Sequence, residues 1–82
     1  MNVSDALRAI IAKQGMTQAG VAHELGVSQP AIASVLSVGN PQFRVLSRIA
    51  GSVGYTVALV PKGADLPEGS YELEVTDKSS RG

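Results

Sequence analysis

Apolar residues recur at helical spacing from Val3 to Val53, and at alternate positions near the end of the chain. Val3, Leu7, Ile10 and Ile11 fall on one stripe, with Asp5, Arg8 and Lys13 off it. This predicts a first helix from about Val3 to Gln14, stopped at Gly15. Thr17 has the character of an N-cap, a hydroxyl that accepts a free amide of the next helix. Val21, Ala22 and Leu25 form the apolar face of that helix, and Gly26 ends it as a C-terminal glycine of positive φ. Ser28 is the next cap. Pro30 has no N–H, so the Ser28 hydroxyl must accept from Ala31. Ile32, Val35 and Leu36 are the buried side of a third helix ended by Gly39, and Asn40-Pro41 marks a loop. Phe43, Leu46, Ile49, Ala50 and Val53 define a fourth, closed by Gly51 or Gly54.

After Gly54 the period changes. Tyr55 to Val60 is rich in β-branched residues and ends at Pro61, which predicts a short strand. Lys62 to Ser70 carries Gly, Pro and Asp and reads as a loop. Tyr71, Leu73 and Val75 alternate with Glu72 and Glu74, as in a strand with one wet face. The two strands either form a hairpin within the chain or pair across a two-fold axis with a second copy, since an isolated edge exposes backbone groups. The chain thus divides into a helical domain over 1–54, a β-strand or hairpin extension over 55–76 suited to dimerisation, and a disordered polar tail over 77–82.

The most informative stretch runs from Gln18 to Leu36, two short helices joined by a tight turn. Helices crossing at a steep angle need a small residue where they touch, which Ala22 supplies. The turn needs positive φ, which Gly26 supplies. Val21, Leu25, Val27, Ile32 and Val35 fill the remaining core positions and lock the angle by packing. That angle lets the second helix stand out far enough to enter a groove.

Thr17-Gln18-Ala19, Ala22 and Leu25-Gly26-Val27-Ser28-Gln29-Pro30-Ala31-Ile32 resemble the Cro/C1-type, XRE-like helix-turn-helix domain. The likeness extends over roughly Val3 to Pro61. It implies a mainly α, lambda-repressor-like bundle of four to five helices with a short C-terminal β-strand or hairpin. It also implies a transcriptional regulator that binds double-stranded DNA as a homodimer, most often as a repressor. An antitoxin that covers a toxin and represses its own operon is the alternative. By the same resemblance Thr17 and Gln18 open the helix that supports the reading residues and contacts phosphate, and Ser28 and Gln29 start the recognition helix. Gln29 has the amide for a bidentate bond to adenine, and Ala31 suits a thymine methyl. Ser34 and Ser37 lie further along the exposed side. Asn40, Gln42 and Arg44 match the loop and helix start that grip the sugar–phosphate backbone. Tyr55, Val57, Leu59, Tyr71 and Leu73 are the candidate dimer contacts. The chain departs from many relatives in having Ser34 where a long polar residue is common and Gly20 where an acidic one is common. Its recognition helix has no Arg or Lys, so readout rests on Gln29, small side chains, water bridges and DNA shape.

Composition narrows the alternatives. At 82 residues the chain is one domain with a small core, and a partner copy would help stabilise it. It has no cysteine, which removes disulfides and thiolate metal sites and suits a reducing cytoplasm. No run of about 18 apolar residues predicts a membrane span, and polar residues interrupt the N-terminus where a signal peptide would be apolar. The net charge of zero conceals an asymmetry. Residues 1–60 hold Arg8, Lys13, Arg44 and Arg48 against Asp5 and Glu24, while residues 61–82 hold five acidic side chains against Lys62, Lys78 and Arg81. The basic front is compatible with DNA, and the acidic tail with a basic protein partner. His23 has no companions for a metal set and reads as surface. No nucleophile motif or phosphate loop appears, so no enzymatic activity and no cofactor are expected.

Overall fold

The computed structural model describes residues 1–38 and 40–74. Among these, four helices follow in order: α1 (Val3–Lys13), α2 (Gln18–Leu25), α3 (Gln29–Val38) and α4 (Phe43–Ser52). Three of the starts have a local cause in a side-chain cap. The Asn2 carboxamide oxygen accepts the Asp5 amide at 2.8 Å, and the Thr17 hydroxyl accepts the Gly20 amide at 3.0 Å. The Ser28 hydroxyl accepts the Ala31 amide at 3.2 Å, the bond that Pro30 forces. Three ends share one pattern. At α2 the Val27 amide reaches back to the Ala22 carbonyl and the Gly26 amide to that of His23, with Gly26 at φ +71°. This is a Schellman closure, which needs a left-handed residue that only glycine adopts without strain. The same pair of bonds closes α1 around Gly15 and α4 around Gly54. Gly51 lies inside α4 and Gly54 is the residue that ends it. Gly39, the expected end of α3, lies outside the described residues.

The apolar stripes converge on one core. Leu7, Ile10 and Ile11 of α1, Val21 and Ala22 of α2, Ile32 and Leu36 of α3, and Ile49 and Val53 at α4 form a single buried cluster. Two arginines fasten the helices at carbonyl ends. Arg8 donates to the Leu36 carbonyl at 3.1 Å, tying α1 to α3. Arg48 donates to the Leu25 carbonyl at 3.2 Å, tying α4 to the end of α2, where the helix dipole favours a cation. Arg48 is thus a structural cross-link as well as a surface charge. Ser4 is buried within α1, and its hydroxyl has no hydrogen-bond partner among the described residues.

The segment after Gly54 departs from expectation. No ladder forms between 55–60 and 71–74, and among the described residues the sole β contact is an isolated parallel bridge between Asn2 and Glu74. Side chains, not backbone pairing, join the two stretches. The Tyr55 hydroxyl donates to the Gly69 carbonyl at 2.9 Å, and the Tyr55 and Tyr71 rings pack with centroids 6.1 Å apart. Both rings rest on the helical core. Glu74 turns instead to the N-terminus: its amide donates to the Met1 carbonyl at 2.9 Å, and its carboxylate lies 3.5 Å from the Met1 ammonium. Alternation in the sequence read the inward and outward sides of Tyr71 and Glu72 but could not name the pairing partner. Val75 and the tail over 77–82 lie outside the described residues.

Candidate nucleic-acid interface

The chain passes from α2 to α3 through Gly26, Val27 and Ser28 alone. The short turn and the shared core fix the angle between the two helices. Ile32 and Leu36 are buried and Val35 is half-buried, so one side of α3 is held against the body. At 100° per residue the opposite side is centred on Pro30, Ser34 and Ser37, all exposed. Gln29 lies on one flank of this face and Ala31 on the other, both exposed. Ala33 and Val38 complete the open surface. Neither was among the predicted contacts, although the phase set by Ile32 and Leu36 was enough to find them. The Ser37 hydroxyl donates to the Ser34 carbonyl at 2.8 Å, which spends its proton and leaves it an acceptor toward any ligand.

Thr17 is exposed at the start of α2 and Gln18 is half-buried, which limits how far the Gln18 side chain reaches outward. Asn40, Gln42 and Arg44 are exposed around the α3–α4 loop. Gln42 occupies the N-cap position of α4 but makes no side-chain cap bond. The first-turn amides of α4 therefore receive no cap from Gln42, next to the Arg44 guanidinium. Arg44 forms no ion pair among the described residues. An amide-rich helix start beside a cation is an arrangement that suits phosphate. His23 is exposed.

Two expected core positions are not closed. Val27 is 38% exposed and Phe43 65% exposed, whereas the sequence pattern placed both inward. Val27 lies with Leu25, Val35 and Val45 on an open apolar groove of about 170 Å³ between α2, α3 and α4. The three-residue turn holds Val27 at the rim because its backbone is committed to the Schellman bond. Of the candidate dimer contacts, Tyr55, Val57 and Tyr71 are half-buried against their own chain, while Leu59 and Leu73 are exposed.

A capped recognition helix that projects from a closed core, with a polar loop and helix start beside it, defines a helix-turn-helix DNA-binding module. The helix-turn-helix family model matches residues 7–60, and the chain belongs to that family in its Cro/C1 form. It is accordingly a DNA-binding transcription regulator whose ligand is double-stranded DNA. The matched span contains all of α2, α3 and α4 and ends before the loop that carries Gly63 and Gly69. No curated protein and no solved structure matches the chain. Among the described residues no helix is long and apolar enough to cross a membrane.

Proposed function

We propose that the protein is a repressor that binds its operator as a homodimer, with the exposed face of α3 in the major groove. The observation that carries this reading is the open edge of Gln29, Ala31 and Ser34 on a helix whose other side is locked by Ile32 and Leu36. Gln29 contacts adenine, Ala31 a thymine methyl, and Ser28, Ser34 and Ser37 add short or water-bridged contacts. Thr17, Gln18, Asn40, Gln42 and Arg44 position the module on the backbone. The protein acts by binding and not by catalysis, occluding polymerase or a competing regulator.

The dimer follows from two features. An α3 face without a cation gives one module little affinity, and doubling the phosphate contacts supplies more. Leu59 has the parity of Tyr55 and Val57, which lean on the body, yet it is 101% exposed. The apolar row is completed by a second copy, with the exposed Leu73 as a further contact. Such a dimer sets its recognition helices about 34 Å apart, one DNA turn.

The test is selection of duplexes from a random pool, then footprinting and sedimentation of the complex. We expect an inverted repeat with half-sites about one turn apart and two chains per site. A single protected half-site with one chain bound overturns the dimer, and no enrichment of any sequence overturns specific recognition. The exposed carboxylates Asp65, Glu68 and Glu72 favour one second reading, an antitoxin whose acidic end covers a basic toxin. Stoichiometric co-purification of a basic partner encoded beside the gene would select it.

A further inference from the structure

The chain has three aromatic rings, those of Phe43, Tyr55 and Tyr71. The tyrosines pack on each other and on the core. Phe43 is left in water, 65% exposed at the first position of α4. It does not lie on the outward face of that helix. At 100° per residue it is nearly in line with Ala50, which is buried, and at the edge of the stripe of Leu46 and Val53. The ring is open at the first helical position, where no earlier turn of α4 lies over it. Helical side chains lean toward the N-terminus, so the ring is carried toward the α3–α4 loop and away from the core. Its chain neighbours Gln42 and Arg44 and the loop residue Asn40 are the exposed groups assigned above to the sugar–phosphate backbone.

Between successive phosphates a DNA strand presents deoxyribose, whose C–H faces are apolar. We propose that Phe43 is a DNA-contact residue whose ring packs on deoxyribose, between the phosphates held by Arg44 and by the first-turn amides of α4. This rests on the DNA-binding reading and adds a contact of a different kind to it. The polar groups at this corner recognise charge, and the ring recognises the sugar face between charges. Because the contact buries apolar area and displaces no counterion, it is independent of salt. Because every nucleotide carries the same sugar, it is independent of sequence.

The test compares wild type with Phe43→Ser on two duplexes of about 25 bp, long enough for half-sites one turn apart. One duplex comes from the random-pool selection and the other has arbitrary sequence. Each is titrated from low to moderate salt. The expected result is a loss of about tenfold on both duplexes at every salt concentration, the effect of withholding part of a phenyl group from burial. The slope of affinity against salt stays unchanged, unlike that of a phosphate contact. A ring this exposed contributes little to folding, so the variant melts with the wild type. If it does not, Phe43→Gln, of similar reach and better helix propensity, carries the same expectation. Unchanged affinity for both duplexes overturns the proposal. So does a loss that sedimentation without DNA traces to a weakened dimer, which would assign the ring to self-association. If the wild type binds neither duplex at low salt, the DNA-binding reading itself falls, and the two failures are told apart by that control.

Discussion

Ala22→Leu tests whether the angle between α2 and α3 is what makes this protein a DNA reader. Ala22 is buried in the cluster with Val21, Ile32 and Leu36, of which Val21 and Leu36 are 0% and 1% exposed. Its carbonyl also anchors the Val27 amide in the turn. Ala22 does not line the apolar groove on the Leu25 and Val35 side, so three added carbons crowd its buried neighbours. Overpacking of a close-packed site costs about 1–3 kcal/mol. A domain of this length has roughly 4–12 kcal/mol in total, so the variant still folds but relieves the clash by moving α3. Urea unfolding should give a lower midpoint with an unchanged m-value, worth that 1–3 kcal/mol. Binding measured where the variant is fully folded should fall by about tenfold or more on the selected duplex, the scale of misplacing one good base contact. It should fall much less on an arbitrary duplex, which needs only the backbone contacts. Ala12→Leu, at an exposed position of α1, is the control and should change stability by no more than about 0.5 kcal/mol. An Ala22→Leu protein that matches wild type in both stability and sequence preference would refute the claim that this contact sets the reading angle.

Three further outcomes follow from named contacts. Gln29→Ala should cost roughly 1–3 kcal/mol on the selected duplex and relax preference at one base pair; competition among single-base variants reads this, and equal weakening on all of them counts against a base contact. Arg44→Ala should weaken every duplex and lower the salt slope by about one, so a salt titration with an unchanged slope removes Arg44 from the phosphate. Ser4→Ala should raise stability by about 1 kcal/mol, since it deletes a buried hydroxyl without a partner and introduces the best helix former; a lower urea midpoint would show that the hydroxyl is satisfied in solution.

The helical half was legible because its signals are local. A cap needs its acceptor three residues before the amide, as at Thr17 and Ser28, and a Schellman end needs one left-handed residue, as at Gly26. Both are readable within a window of six residues. Even the detour of the Ser28 bond around Pro30 follows from covalent chemistry. The exposed reading face of α3 follows too, since Ile32 and Leu36 fix its phase.

What failed to be legible depended on where the body ends. Phe43 and Val27 have the right period for burial, yet one stands exposed at the first position of α4 and the other is pinned in a turn beside an open groove. Periodicity reports direction around a helix axis and carries no information about how far the neighbouring helices extend along it. The alternation of residues 71–74 separated Tyr71 from Glu72 but misplaced Leu73, which is exposed, while the pairing of Glu74 with Met1 and the clasp of Tyr55 onto Gly69 required the chain to be folded first. In the sequence Arg8 and Arg48 are two charges of the basic front, and folding brings the carbonyls of Leu36 and Leu25 beside them. The sequence alone determined the four helices, the Thr17 and Ser28 caps and the turn that joins α2 to α3, because those are set by bonds spanning a few residues. The tertiary structure alone decided which apolar positions stay wet and which arginines bridge helices, because both depend on groups more than twenty residues apart meeting in space.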